Sequence, residues 1–468
     1  MCNCIPELPG ADPRLARRYH SLVVGHVPPA DRVAAGLRVP PGEAGPFAAA
    51  QGAWRFLNNE AVTLPRLAGP LAECARAGVA DACDAYALVV LDWSPLHYGG
   101  HESKERRVEL AHSRDLGYDL LTALAVSDRD GSPLAPVSLD LRAADGVHTT
   151  RADRVVRAPS QLDGLGPVMA HAAGLLAPTG RVPAFLIDRE ADSVGHYRRW
   201  DADRRKLVVR ADDNRLVLHA GGEVKRPAVV KRLRRAGAFA DVRPVLPGGK
   251  PARQFVAETT VVLHGPARLH RVDKRTGKKT RRDVPGPKLA LRLVVSEVRD
   301  GRGRVLARWL LLTNLPAAGP AGVDAATVAL WYYWRWRIES YHKLLKGAGQ
   351  PAECWRQETP AAVARRLAVA AMAAVVVWRL ARDDSAEAAG FRDVLVTLSG
   401  RQMKRGKGPD GAPARGFTEP ALMAGLGVLI PALLLLETHD PADLRRMVDA
   451  VLPGLLPARA DRPRRDGG

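Results

Sequence analysis

Two short runs of uninterrupted apolar residues, each closing on an aspartate, constrain this chain more than any other feature. Ala87-Leu-Val-Val-Leu91 ends at Asp92, and Pro183-Ala-Phe-Leu-Ile187 ends at Asp188. Runs this short, apolar at every position, fit central strands covered on both faces better than helices. A carboxylate at the end of a buried strand costs free energy unless it binds something, so such acids often mark sites. An aspartate that caps the following turn would look the same, and for either residue alone that is the commoner role.

A third segment adds to them. In WYYWRWRIESYHKLLKGAG, Tyr332, Arg335, Glu339 and Lys346 stand at offsets 0, 3, 7 and 14. At about 100° per residue these fall within roughly 60°, on one face of a helix. One carboxylate and two fixed cations on a stripe suit a metal ion beside a phosphodiester. An ordinary i,i+4 ion pair between Arg335 and Glu339 gives the same spacing. Taken with Asp92 and Asp188, however, the set amounts to three carboxylates from two strands and one helix. That combination can hold two divalent metals for in-line attack on a phosphodiester.

Around these residues the pattern reads as α/β. Strands are expected at 87–92, 118–127, 134–141, 183–188 and 207–210, with a helix over Leu165–Leu176. Residues 215–310 interrupt this core with strands at Phe255–Leu263 and Leu289–Val298. Basic loops are expected between them: Lys231, Arg232, Arg234 and Arg235, then Arg268 to Arg282 with Lys278 and Lys279. Those cations suit a DNA backbone, and a charged hairpin tip would look alike. Residues 1–85 read as helical with a basic start (Arg14, Arg17, Arg18) and Trp54-Arg55 near the end. Residues 386–455 read as helical, with a basic Gly/Pro-rich linker at 398–417 and a disordered tail at 456–468.

The chain resembles the bacterial DDE cut-and-paste transposases of the insertion-sequence-four family. Their signature is Tyr, two residues, Arg, three residues, Glu, six residues, Lys, met here at Tyr332, Arg335, Glu339 and Lys346. GAWRFLNNEAV (52–62), LIDREAD (186–192), LVVRADDNR (207–215) and RWLLLTNLP (308–316) match as well, and the likeness spans about residues 10 to 440. It implies a ribonuclease-H-like (retroviral-integrase-like) core from 86–214 and 311–385, with a β-rich domain inserted at 215–310. It also implies helical flanks, the first binding DNA and the last dimerising. Asp92, Asp188 and Glu339 would be the catalytic triad and would hold two Mg²⁺, with Mn²⁺ able to substitute. Tyr332, Arg335 and Lys346 would grip phosphates, and Trp309, opening its strand, would stack on a flipped base. Arg210, Lys343 and Arg356 are further candidate DNA contacts. The implied partners are double-stranded DNA, as terminal inverted repeats and as target, and a second copy in a synaptic homodimer. The chain departs from the family pattern at Trp93, where many relatives carry a small hydroxyl residue after the first acid.

Composition agrees. The 70 Lys+Arg against 50 Asp+Glu give a net charge of +20, as a phosphate-binding protein should show. An arginine excess in a chain rich in Ala, Gly and Pro also follows from GC-rich coding. Five scattered cysteines argue for a reducing cytosol, and Cys2 and Cys4 read as free thiols. No signal peptide is visible. Leu367–Leu380 is short for a span and contains Arg379, and Pro431 breaks Pro420–Leu436; both read as buried helices of a cytoplasmic protein without a membrane partner.

Overall fold

A computed structural model describes residues 5–28, 46–153, 155, 158–247, 250–272, 279–401 and 416–451. Cys2, Cys4, Lys278, most of the 398–417 linker and the 456–468 tail lie outside them.

The chain is mixed α/β, with a large mixed sheet and helices towards both ends. Three helices come first: α1 (Pro13–His26), α2 (Pro46–Leu57) and α3 (Leu64–Ala82). α1 and α3 start alike, with Asp12 or Thr63 capping the first turn and a proline just inside it.

The sheet begins with β1 (Tyr86–His97), β2 (Val108–Glu109), β3 (Leu116–Ser127), β4 (Pro133–Ala143) and β5 (Gly146–Thr149). Helix α4 (Gln161–Leu176) leads to β6 (Val182–Ile187), and α5 (Val194–Ala202) to β7 (Lys206–Arg210). β1 lies between β3, antiparallel to it, and β6, parallel to it; β7 continues parallel beyond β6. Ala87 to Leu91 are fully buried, which is why the run is apolar at every position. β1 does not stop at Asp92, as the run implied. It goes on to His97 because β3 keeps pairing with it after β6 has ended. Asp92 is therefore interior to its strand, at the point where one neighbour leaves.

Next come β8 (Leu216–His219), β9 (Gly222–Lys225), α6 (Arg226–Arg235), β10 (Ala240–Val245), β11 (Ala252–Leu263), β12 (Ala267–Val272), β13 (Lys279–Val284), β14 (Leu289–Arg299) and β15 (Val305–Thr313). β12 and β13 form a separate two-stranded ribbon. The others extend the main sheet, because β15 pairs with β7 and the order runs on through β14, β11, β8 and β9. Two expectations change here. Lys231, Arg232, Arg234 and Arg235 lie on a helix, whose Val229, Val230 and Leu233 recur at helical spacing and are buried. Trp309 lies mid-strand, since β15 begins four residues earlier at Val305.

The acidic segment forms α7 (Ala325–Trp334) and α8 (Trp336–Lys343), followed by a π turn, Leu344–Ala348. It is thus one helical stretch with a joint at Arg335 and a widened last turn, where a single regular helix was expected. The joint rests on the β3–β4 turn. Gly131 (φ +71°) lies against Trp334, and Arg337 Nε donates to its carbonyl at 3.0 Å. A Cβ there would come within 2.4 Å of the indole. Gly131→Ala should cost about 2–4 kcal/mol through left-handed backbone and overpacking. A urea midpoint equal to that of the wild type would overturn the assignment.

Helices α9 (Pro360–Arg382), α10 (Ala386–Leu398), α11 (Glu419–Leu436) and α12 (Pro441–Val451) complete the described chain. α9 and α11 are long and apolar enough to cross a membrane by length and composition. α9 is a core helix, packed on α1, α3 and β4. α11 is buried, as expected, only over its first half, at Ala421, Leu422, Met423 and Gly425 to Gly427. It runs through Pro431, and Val428, Leu433, Leu435 and Leu436 are exposed on it. Cys74 and Cys83 are buried free thiols, and Cys354 is an exposed one.

His26 on α1 is buried and accepts from Arg366 Nε on α9 at 3.2 Å. Burial, and then Arg366, lower its pKa to about 3. His342 on α8 is likewise lowered to about 3, by burial and then by Lys346 and Arg335. Both rings stay neutral in the folded state at pH values where the unfolded chain takes up protons, below about 6.5. Stability present above that value is therefore lost as pH falls toward 3. The melting temperature should drop between pH 7.5 and 5.5, and less steeply in His26→Gln/His342→Asn; identical slopes would remove these rings as the cause.

Candidate active site

Sheet register brings the first two acids together. Leu91 and Ile187 are partners across the parallel β1–β6 pair, so Asp92 and Asp188 follow side by side at the carboxyl end of β6. Each also accepts from the next backbone amide: Asp92 Oδ1 from Trp93 at 3.0 Å, Asp188 Oδ1 from Arg189 at 2.7 Å. Asp188 thereby caps the short 3-10 turn Arg189–Ala191, so the capping role and the site role fall to one residue. Glu339 comes from α8, which packs on β1 and β3.

Arg335 sits at the focus of the three acids. Its Nη1 is 3.3 Å from Asp92 Oδ2, and its Nη2 is 3.4 Å from Asp188 Oδ2 and 3.0 Å from Glu339 Oε1. The side chain is only 3% exposed, whereas the acids are 20–34% exposed. Its Nε is buried and has no hydrogen-bond partner. Tyr332 OH donates to Asp188 Oδ1 at 3.0 Å, and its ring meets Trp309 edge-on at 5.6 Å. Arg210 Nη1 lies 3.6 Å from Asp188 Oδ1.

The carboxyls differ in electrostatics. Burial pushes Asp92 up to about 6, against the pull of Arg335, with Asp188 and Glu339 adding to the rise. For Asp188 burial also raises the pKa, but Arg335, the Arg189 amide, Tyr332 and Arg210 outweigh it and the net shift is downward. Tyr332 is driven up by burial. Arg335 is raised: burial opposes its charge, and Tyr332 with the three acids more than restores it. Two neighbouring carboxyls whose environments push them apart are a common mark of a functional site.

Beside the acids opens a cleft of about 620 Å³, bordered by Asp92, Ser94, Glu339, His342, Lys343 and Lys346. Lys346 does not join the cluster. The π turn carries it to β1, where its ammonium donates to the Pro95 carbonyl and stands 3.9 Å from Glu353. Burial lowers its pKa. Lys343 is exposed on the cleft wall, and Arg356 is exposed beyond the 3-10 turn Ala352–Cys354. Trp93 is partly buried against the core. Tyr332, Arg335, Asp92, Asp188, Glu339, Arg210 and Trp309 therefore form one continuous group. Lys343 and Lys346 edge it, and Arg356 lies further off.

Sequence reasoning missed three residues. Thr122 on β3 is the register partner of Asp92, and its hydroxyl lies 3.3 Å from His342 Nε2. A lone threonine in the apolar run Leu120-Leu-Thr-Ala-Leu was the available signal. Asp192, four residues after Asp188, is buried and pairs with the fully buried Arg226 on α6 at 2.6 Å. It also accepts from the Asp212 amide at 2.8 Å and pairs with Arg215 at 3.1 Å. That pair ties the loop after Asp188 to the start of α6, and nothing in its spacing announces it.

As the side chains lie, no group of three or more His, Cys, Asp or Glu among the described residues is closed up to hold a metal ion. The donor set is nonetheless three hard carboxylates converging on one cation, which is the chemistry a hard divalent ion requires. No protein-family model matches the chain, and no curated protein matches it significantly.

Proposed function

We propose that this protein is a metal-dependent DNA transposase with a ribonuclease-H-like core. In that reading it binds the terminal inverted repeats of an insertion sequence, cuts at the element's ends and joins the 3′-OH ends to target DNA. The observation that carries the reading is the convergence of Asp92, Asp188 and Glu339 on one guanidinium beside a cationic cleft. The strand order β4-β3-β1-β6-β7, with β3 antiparallel to β1, supports the fold assignment. The Tyr-Arg-Glu-Lys spacing and the net charge of +20 support the substrate.

Asp92, Asp188 and Glu339 would hold two Mg²⁺, or Mn²⁺. When bound, such ions activate the attacking oxygen and stabilise the leaving one. The chain's own residues do the rest. Asp92 and Asp188 are fixed by sheet register, so their spacing needs no loop to order. Tyr332 buttresses Asp188 through its hydroxyl. Trp309, against Tyr332, offers an aromatic face for a base taken out of the duplex. Lys343 and Lys346 line the cleft with positive charge for the backbone. The reading includes a hairpin intermediate, work as a synaptic homodimer and a cytoplasmic location.

The test is a labelled duplex spanning the boundary between the gene's flanking inverted repeat and outside DNA, incubated with Mg²⁺. Nicking at the boundary supports the reading. Specific binding with no cut, in Mg²⁺ or Mn²⁺, favours a transposase-derived DNA-binding protein instead. If Lys346 serves the hairpin step, Lys346→Ala should slow hairpin formation more than first nicking; equal loss of both overturns that role.

A further inference from the structure

Arg335 is placed as no permanent DNA-gripping residue would need to be. It is almost fully buried, and its two terminal nitrogens are shared among three acids at 3.0–3.4 Å. Its Nε, equally buried, has no partner. A forked donor with five N–H groups is thus used on one side and left short on the other. The acids around it remain part-exposed, open toward the cleft.

A guanidinium is also a larger cation than the ion such acids take. Carboxylate oxygens ligate Mg²⁺ at about 2.1 Å, and here they stand 3 Å and more from the nitrogens. As they lie around the guanidinium, the three carboxyls are not closed up on a metal ion. Nor can the guanidinium stay at their focus beside a divalent cation, because the two would share the same oxygens and repel each other.

Resting on the metal-and-DNA reading above, we propose that Arg335 is an exchangeable counter-ion. Without metal it neutralises Asp92, Asp188 and Glu339 and keeps the acids assembled. On metal entry it leaves them for a phosphate oxygen of DNA, which also supplies the acceptor that Nε lacks. Two properties follow. Arg335 competes with the metal in the free protein. DNA, by drawing the guanidinium away, strengthens metal binding, and by linkage metal strengthens DNA binding by the same factor.

The experiment is Mn²⁺ titration followed by electron paramagnetic resonance, on the full chain. It compares wild type, Arg335→Ala and Arg335→Lys, each alone and with a duplex of the gene's flanking repeat. In the absence of DNA, Arg335→Ala should bind Mn²⁺ about tenfold more tightly than wild type. The gain in Mn²⁺ affinity on adding the duplex should shrink in the variant. Unchanged or weaker Mn²⁺ binding by Arg335→Ala without DNA overturns the proposal, since the arginine would then only hold the acids in place. If that variant fails to fold, Arg335→Lys decides. Lysine keeps a charge but cannot fork, so tighter Mn²⁺ binding than wild type supports exchange, and equal or weaker binding overturns it. Asp188→Ala is the control for the underlying reading. If wild type shows no Mn²⁺ binding that depends on Asp188, with or without DNA, the metal reading fails irrespective of Arg335.

Discussion

Asp92→Asn, Asp188→Asn and Glu339→Gln should each reduce Mg²⁺-dependent cleavage of the repeat-boundary duplex by at least about 10³-fold. Groups that act as a unit lose most of their effect when any one member is removed. A double variant should therefore be little worse than a single one. Without metal, duplex affinity should hold or rise, because each change removes a negative charge facing the phosphates. Single-turnover cleavage and a binding titration on the same preparations check both halves. Cleavage within tenfold of wild type in any one variant would remove that acid from the chemistry. Independent, multiplying losses would argue that the three do not share one site.

The largest stability effect should come from outside the cluster. Arg226→Met leaves Asp192 buried with only the half-exposed Arg215 to balance it. Breaking a buried pair from one side costs about 3–5 kcal/mol. The loss should appear as a lower urea midpoint, and with it looser anchoring of the loop that follows Asp188. Replacing both partners, Asp192→Leu with Arg226→Met, should recover much of it, because no charge is then stranded. A single variant as stable as wild type would show that water reaches the pair.

How much of this could be read from the chain depends on which force set each element. Strands buried on both faces are written plainly, since each position of Ala87–Leu91 and Ala184–Ile187 answers to the same hydrophobic demand. So are the acids at their ends, because polar residues inside such runs need a reason. Pairing is not written. Nothing in Leu116–Ser127 says that it should follow β1 to His97, and that pairing put Asp92 inside its strand. Helical spacing located Tyr332, Arg335 and Glu339 on one side, but it could not foresee the joint at Arg335 or the π turn. The joint lies against Gly131 of the β3–β4 turn, a contact distant in sequence. The widened turn then moved Lys346 to Pro95, which a uniform 100° per residue cannot represent. In α6 the density of cations suggests a loop, whereas the Val229-Val230-Leu233 spacing marks the helix. In α11, apolar composition cannot tell the buried first half from the exposed second, because both are apolar.

The sheet that runs unbroken from β6 through β7 into β15 acts as a ruler. Trp309 belongs to a strand two places from β6, which ends just before Asp188, and strands repeat at about 4.8 Å. Roughly 10 Å thus separates the two strands, a gap set by backbone hydrogen bonds and not by the lengths of connecting loops. Loops between these strands can lengthen or shorten in related chains without changing that gauge. Inserting a strand between them would reset it in one step.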